Sequence, residues 1–180
     1  MGETNKSPEF LAKFPIGKVP ALETHSATPF YISEAAAIAY FVADSGQASA
    51  QLLGATTEER AKIQQFIYHS ENEIYPAVLP SIRVAFGIIP FDEKVDTENK
   101  AALGRVLKGY EARLGDKKWL ATEENFSLAD LTNAGVLYIA WKSWLGKEFR
   151  DPYPNLVAWY LRLLEVPEVK EVFGAPEFKE

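Results

Sequence analysis

The chain has no cysteine among its 180 residues. This absence excludes disulfides, zinc–thiolate sites and cysteine nucleophiles together, so any thiol chemistry has to come from a ligand. It also favours a cytoplasmic location, because proteins of oxidising compartments are the ones that commonly carry disulfides.

Clusters of basic residues are missing as well. The chain has 19 Lys and Arg against 25 Asp and Glu, a formal net charge of -6, and no basic run longer than Lys117-Lys118. Binding to a phosphate backbone needs clustered cations, so we expect no nucleic-acid partner. No apolar run approaches the roughly 18 residues that a membrane span needs, so we expect no membrane association either.

Metal-binding patterns are equally scarce. The two histidines, His25 and His69, stand alone in the sequence, without a second histidine or a cysteine at the spacing of a metal site. We therefore expect no metal cofactor.

What is present begins with a short mixed segment. Residues 10–14 end a predicted helix that Pro15 and Gly17 terminate. Two short strands follow at 19–23 and 30–33, separated by a turn-rich stretch, which is typical of a hairpin. An alanine-rich helix is predicted at 34–43, and the small polar residues 45–50 are typical of a linker. The predicted domains are therefore 1–50 and 51–180.

Beyond residue 50 the apolar residues recur at helical spacing. Stripes with intervals of three and four residues predict one helical core, and Pro76 and Pro80 should bend the first long helix. The stripes are Ile63, Phe66, Ile67, Ser70 and Ile74; Leu103, Val106, Leu107, Tyr110 and Leu114; and Leu156, Trp159, Tyr160 and Leu163.

The clearest local signal in the helical part is Ser127-Leu128-Ala129-Asp130, preceded by Phe126. Ser and Asp three residues apart form a capping box, in which each side chain satisfies a backbone N–H of the other residue. Asp130 could alternatively be a catalytic carboxylate. Because the cap accounts for both polar residues without chemistry, we interpret them as structural.

These segments resemble the glutathione transferase superfamily. Residues 5–23, which include Lys18-Val19-Pro20, are similar to its glutathione-binding segment, and the Ser127–Asp130 box is similar to the start of its central helix. The resemblance is greatest to the transferase-like domain of the gamma subunit of translation elongation factor 1B. It implies a mainly α fold with a small α/β part: a truncated thioredoxin-like N-terminal domain, with the first βαβ unit absent, followed by an all-α domain.

The resemblance also implies a glutathione site at Lys18, Val19, Pro20, Glu34 and Ala35. Pro20 has no N–H, so the Val19 backbone can pair with a ligand, and the unpaired N–H groups at a helix start favour a carboxylate. The family has a serine where this chain has Ala35, which should weaken binding. An alternative interpretation is that Ser33 simply caps this helix and Glu34 complements its dipole.

Two functions remain open. The first is a glutathione transferase that takes small electrophiles and forms a homodimer. The resemblance implies that residues 68–75 line the electrophile pocket and, in many members, the dimer interface; alternatively they form the solvated acidic edge of an amphipathic helix. The second is a non-catalytic scaffold that binds subunits of translation elongation factor 1B. Since the activating Tyr, Ser or Cys of the family belongs to the absent βαβ unit, no residue is assigned as catalytic and impaired activity is expected.

Overall fold

The computed structural model describes residues 2–180, which divide into two compact units, one up to Ala50 and one from Gln51 onward. The first unit contains a 3₁₀ turn, two helices and a two-stranded sheet, and a further helix, α3, crosses the boundary. In chain order these are the 3₁₀ turn Thr4–Lys6, α1 Pro8–Lys13, β1 Ala21–Glu23, β2 Tyr31–Ser33, α2 Ala35–Ser45 and α3 Ser49–Leu53.

The hairpin of the first unit confirms the prediction of two short antiparallel strands. Leu22 lies opposite Ile32 in the register. The turn is closed by Thr24, whose N–H donates to the carbonyl of Phe30 at 3.0 Å and whose hydroxyl accepts the Phe30 N–H at 2.9 Å. α1 begins at Pro8 because the Ser7 hydroxyl caps it, accepting the Phe10 N–H at 3.2 Å.

The second unit is helical throughout its regular structure, as the apolar stripes predict. Its longest helix is the 22-residue α6. None of the helices among residues 2–180 combines the length and the apolar character needed to cross a bilayer. The elements are α4 Thr57–His69, a π-helical turn Ser70–Ile74, α5 Tyr75–Ala85, α6 Glu93–Leu114, α7 Leu128–Ser143, α8 Lys147–Arg150, α9 Pro154–Leu164 and α10 Pro167–Phe173.

The sequence predicts one long helix bent at Pro76 and Pro80, but the structure has two helices, α4 and α5, in this region. A π-helical turn at Ser70–Ile74 separates α4 from α5, so the irregularity precedes Pro76 rather than following it. Pro76 has no N–H to donate to the carbonyl four residues earlier, which disrupts the α pattern at that point. Ser70 and Ile74 are nevertheless fully buried, as the stripe predicts.

Asp130 is the buried polar centre of the helical unit, and the capping box with Ser127 is present. Its carboxylate accepts the Ser127 N–H at 2.8 Å, the Ser127 hydroxyl at 2.9 Å, the Leu120 N–H at 2.9 Å and the Trp159 indole N–H at 2.8 Å. Burial raises the pKa of this carboxyl, and the four hydrogen bonds act in the opposite direction. The side chain has no exposed surface, which supports the structural interpretation over the catalytic one.

Candidate functional site

A small pocket lies within the first unit, beside the end of β2 and the start of α2. Its volume is about 50 Å³. It brings together four of the five residues predicted to bind a ligand and adds four others. The lining residues are Phe14, Ile16, Gly17, Lys18, Val19, Pro20, Ser33 and Glu34.

Gly17 fixes the path of the chain into this pocket. Its φ of +63° is a conformation that residues with a side chain rarely adopt, and an added Cβ would lie 2.9 Å from both the Asn5 carbonyl oxygen and Leu11 Cδ2. Its carbonyl accepts hydrogen bonds from Asn5 Nδ2 at 2.7 Å and from Lys6 Nζ at 3.2 Å. The hydrogen bonds from Asn5 and Lys6 to Gly17 therefore fix the start of the segment Lys18 to Pro20.

Val19 lies just outside the sheet, with its backbone available for pairing. The Val19–Pro20 peptide bond is cis, and the pairing of β1 with β2 begins only at Ala21. Within residues 2–180, the N–H and C=O of Val19 have no hydrogen-bond partner, and 47% of the residue surface is exposed. A ligand that carries its own peptide group can supply the missing donor and acceptor.

The start of α2 is unusual because its N-cap residue is Glu34, with φ +76° and ψ 123°. A non-glycine residue at positive φ is strained, and such strain concentrates at functional sites. No side chain caps the helix. The N–H groups of the first turn, that of Ala35 included, thus keep their capacity to bind an anion. The alternative in which Ser33 caps this helix is wrong, since Ser33 is the last residue of β2.

The five predicted residues contribute in different ways. Lys18, Val19, Pro20 and Glu34 line the pocket, whereas Ala35 is not part of its lining and stands at the first position of α2. The sequence interpretation missed the apolar wall of Phe14 and Ile16. The approach of α1 to the hairpin, where the Phe14 and Tyr31 rings meet edge to face at 5.9 Å, depends on tertiary packing that no local pattern encodes.

The charges of the pocket suit a zwitterionic ligand. Lys13 of α1 and Glu23 of β1, which do not line the pocket, form an ion pair at 2.8 Å, and their hydrogen bond raises the pKa of Lys13 and lowers that of Glu23. Lys18 and Glu34 take part in none of the ion pairs found between residues 2 and 180. Lys18 and Glu34 therefore offer the pocket a cation and a carboxylate that no ion pair among residues 2–180 engages. In the described part of the chain, no three His, Asp or Glu side chains are grouped so that they could hold a metal ion.

Family models match both units of the chain. The glutathione S-transferase N-terminal domain matches residues 2–44, and the glutathione S-transferase C-terminal domain matches residues 53–167. The chain therefore belongs to the glutathione S-transferase family, whose members bind glutathione. The expected fold, a short thioredoxin-like part with two strands followed by a helical domain, is confirmed.

Among individual relatives, the fungal ones have the higher identity. The chain is 45% identical over 172 residues to the glutathione S-transferase-like protein LUC7 of a Fusarium species, covering 96% of this chain and 77% of the relative. It is 34% identical over 173 residues to elongation factor 1-gamma of Carassius auratus, covering 96% of this chain and 37% of that protein. The expectation that the elongation factor is the most similar relative is therefore wrong.

The solved structures that are similar to this chain include a glutathione S-transferase and a domain of elongation factor 1-gamma. The chain is similar to glutathione S-transferase I from maize in complex with an atrazine glutathione conjugate, with a TM-score of 0.81, 33% identity and coverage of 94% of this chain and 78% of that one. It is also similar to the transferase-like domain of elongation factor 1-gamma from Saccharomyces cerevisiae, with a TM-score of 0.81, 28% identity and coverage of 95% and 79%.

Proposed function

We propose that this protein binds glutathione at the pocket beside α2, with part of the tripeptide lying outside the pocket, and transfers it to small electrophiles. The observation that carries the proposal is the convergence, on one pocket, of the unpaired Val19 backbone and the strained, uncapped start of α2 at Glu34. These two groups match two parts of glutathione, a central peptide unit and a γ-glutamyl end with an ammonium and a carboxylate.

Each part of glutathione has a complementary group in this arrangement. The N–H and C=O of Val19 pair with the cysteinyl unit, and the Glu34 carboxylate accepts from the γ-glutamyl ammonium. The γ-glutamyl carboxylate takes the N–H groups at the start of α2, Ala35 among them, where the positive end of the helix dipole favours an anion. Lys18 supplies a cation for the remaining carboxylate, that of the glycine end. Charge-assisted hydrogen bonds of this kind are the stronger ones in proteins.

Among the described residues that line this pocket, Ser33 is the one that carries a hydroxyl. We assign it as the candidate group that stabilises the glutathione thiolate, since a hydroxyl hydrogen bond lowers the pKa of a thiol and raises its thiolate fraction. The thiol proton passes to solvent, and the thiolate attacks the electrophilic carbon and forms the new carbon–sulfur bond. The leaving group departs as an anion with the electron pair of its bond to that carbon.

A conjugation assay tests this proposal. The polypeptide of residues 1–180, glutathione and 1-chloro-2,4-dinitrobenzene should give a measurable rate, and Ser33→Ala should lower kcat by about 10²-fold, the usual effect of losing one transition-state donor. Ser26→Ala, in the hairpin turn, is the matched control and should leave the rate unchanged. If Ser33→Ala conjugates glutathione as fast as the parent, the Ser33 hydroxyl does not stabilise the thiolate.

A non-catalytic scaffold of the elongation factor 1-gamma type is the second candidate. It is favoured by the 34% identity to that protein, of which this chain spans 37%. The two functions separate in one experiment: absence of conjugation, together with co-purification of elongation factor 1B subunits from an extract, favours the scaffold.

The proposal includes a homodimer and a cytoplasmic location. Tyr68 and Tyr75 leave 60% and 41% of their surfaces exposed on α4 and α5. Aromatic side chains at a surface are typical of an interface. The cysteine-free composition suits a reducing compartment. Sedimentation of the parent and of Tyr68→Arg tests the dimer, which the arginine variant should weaken.

A further inference from the structure

The segment of residues 174–180, which we call the tail, forms neither a helix nor a strand. α10 ends at Phe173, and Gly174, with φ +73°, turns the chain out of the helix. The tail then contacts α7, α8 and α9 of the helical unit. Its side chains are exposed except for that of Phe178, which is half-buried.

The Phe178 ring is held by one residue from each of these three helices. Its centroid lies 5.8 Å from the ring of Trp141 in α7 and 6.1 Å from the ring of Tyr160 in α9. The guanidinium carbon of Arg150 in α8 stands 4.6 Å from the Phe178 centroid, which is a cation–π distance. We call Trp141, Arg150 and Tyr160 the Phe178 socket.

The residues on either side of Phe178 are bound as well. The Lys179 N–H donates to the carbonyl of Trp141 at 2.7 Å, and the Lys179 carbonyl accepts from Arg150 Nη1 at 2.8 Å. On the other side, the Glu177 carboxylate pairs with Lys142 of α7 at 3.0 Å. This surface therefore binds an acidic residue, an aromatic residue and the next peptide group in a fixed order.

Few contacts hold the tail in place. The Lys142 and Glu177 side chains are both largely exposed, and ion pairs of this kind contribute little to stability. Fixing each residue of the tail costs conformational entropy, which opposes the gain from one aromatic side chain and two hydrogen bonds. Segments with so few buried contacts open locally far more often than a packed core does. The tail can therefore leave the socket while the helices stay folded.

The docked tail also leaves part of the socket unsatisfied. The indole N–H of Trp141 and the hydroxyl of Tyr160 are buried, and neither has a hydrogen-bond partner within residues 2–180. Buried polar groups are normally paired, because an unpaired one is costly. Phe178 has no polar atom in its side chain with which to pair them. The tail is therefore not the occupant that uses the full binding capacity of this socket.

We propose that the Phe178 socket is a docking site for a segment of a partner protein in which a glutamate precedes an aromatic residue. The tail occupies the socket when that partner is absent. None of the socket residues lines the pocket proposed for glutathione, so the inference does not rest on glutathione binding or on conjugation.

Titration calorimetry on the polypeptide of residues 1–180 tests the proposal, with the acetylated and amidated heptapeptide Gly-Ala-Pro-Glu-Phe-Lys-Glu as the probe. Phe178→Ala empties the socket and should bind the heptapeptide at one site. The parent should bind it at least tenfold more weakly, because its own tail competes at a high effective concentration. The matched control is the same peptide with alanine in place of phenylalanine, which should not bind Phe178→Ala.

Two further changes complete the experiment, and circular dichroism establishes that each variant is folded. Lys179→Pro removes the N–H that bonds to the Trp141 carbonyl, so it should release the tail and bind the peptide more tightly than the parent does. Adding Arg150→Ala to Phe178→Ala should weaken peptide binding at least tenfold, whereas adding Arg105→Ala, at an exposed position of α6, should not. The proposal is overturned if the folded Phe178→Ala and Lys179→Pro variants bind the peptide no better than the parent, if the alanine peptide binds as tightly, or if Arg150→Ala leaves the affinity unchanged.

Discussion

Replacing Asp130 with alanine should be among the most destabilising single changes in this protein. The substitution removes the acceptor of four hydrogen bonds and leaves three buried N–H donors, those of Ser127, Leu120 and Trp159, without a partner. An unsatisfied buried donor costs about 1–3 kcal/mol. Because the costs of neighbouring groups are not additive, we expect Asp130→Ala to lower the free energy of unfolding by about 3–5 kcal/mol.

A more conservative change should cost less, for a specific reason. In Asp130→Asn one oxygen remains to accept from Leu120 and Trp159, but the amide NH₂ then faces the Ser127 N–H, so one donor loses its partner. The expected loss is about 1–3 kcal/mol. Asp92→Ala, which removes the exposed N-cap of α6, is the matched control and should cost about 1 kcal/mol.

Urea unfolding followed by far-ultraviolet circular dichroism measures all three values. A typical domain is stable by about 5–15 kcal/mol, so a loss of 3–5 kcal/mol shifts the midpoint well beyond error. If Asp130→Ala loses no more stability than Asp92→Ala, the four hydrogen bonds to Asp130 do not contribute to the free energy of unfolding as we expect.

Three further predictions concern the backbone at Gly17, the strained residue Glu34 and the carboxylate of Asp96. Gly17→Ala should destabilise by about 1–3 kcal/mol, because of its positive φ and the close contact of a Cβ with Asn5; in contrast, Gly109→Ala, in mid-helix with open space around it, should stabilise by about 0.5–1 kcal/mol. Thermal unfolding of the two variants should show a lower melting temperature for Gly17→Ala and a higher one for Gly109→Ala. Glu34→Gly should relieve the strain at φ +76° and raise the melting temperature, while glutathione binding, measured by calorimetry, weakens because the carboxylate is lost. For Asp96, burial raises the pKa, but the hydrogen bonds from Lys100 and Trp144 and the Lys100 charge outweigh it, so the folded-state pKa is below its usual value. The stability gained from Asp96 is then present above the ordinary pKa of about 3.9 and is lost as the pH falls through the lowered value; urea unfolding should give a larger difference between the parent and Asp96→Asn at pH 7 than at pH 3.

Each of these predictions has an outcome that contradicts it. If Gly17→Ala and Gly109→Ala change the stability equally, the backbone conformation at position 17 does not require a glycine. A Glu34→Gly variant with a lower melting temperature would show that the strain is compensated locally. If the difference in the free energy of unfolding between the parent and Asp96→Asn is as large at pH 3 as at pH 7, the ionised Asp96 carboxylate does not stabilise the fold.

The regular elements were predictable because their signals are local. The stripe that ends at Ile74, the hairpin closed by Thr24 and the capping box of Asp130 each depend on residues a few positions apart. The π-helical turn before Pro76 was not predicted. A missing N–H indicates that the α pattern is disrupted, but the surrounding packing determines whether the helix bends or shifts its hydrogen bonds.

The candidate site was only partly predictable for the same physical reason. Lys18 and Glu34 could be chosen because the resemblance to the transferase superfamily implies a site around Pro20 and the predicted helix start. The alternative interpretation placed the cap at Ser33, yet tertiary structure extends β2 through Ser33 and places Glu34 at positive φ as the N-cap residue. The wall that Phe14 contributes depends on the packing of α1 against the hairpin, which the sequence pattern does not contain.

The most direct test of the account is a calorimetric titration of the polypeptide of residues 1–180 with glutathione, in parallel with Glu34→Ala and Glu9→Ala. Glu9 is an exposed glutamate of α1 outside the pocket, so its variant controls for the general loss of a negative charge. The account predicts that the parent and Glu9→Ala bind glutathione with the same affinity, and that Glu34→Ala binds it about tenfold more weakly or worse, as expected for a lost charge-assisted hydrogen bond. Undiminished affinity in Glu34→Ala, or no binding by the parent at millimolar glutathione, would contradict it.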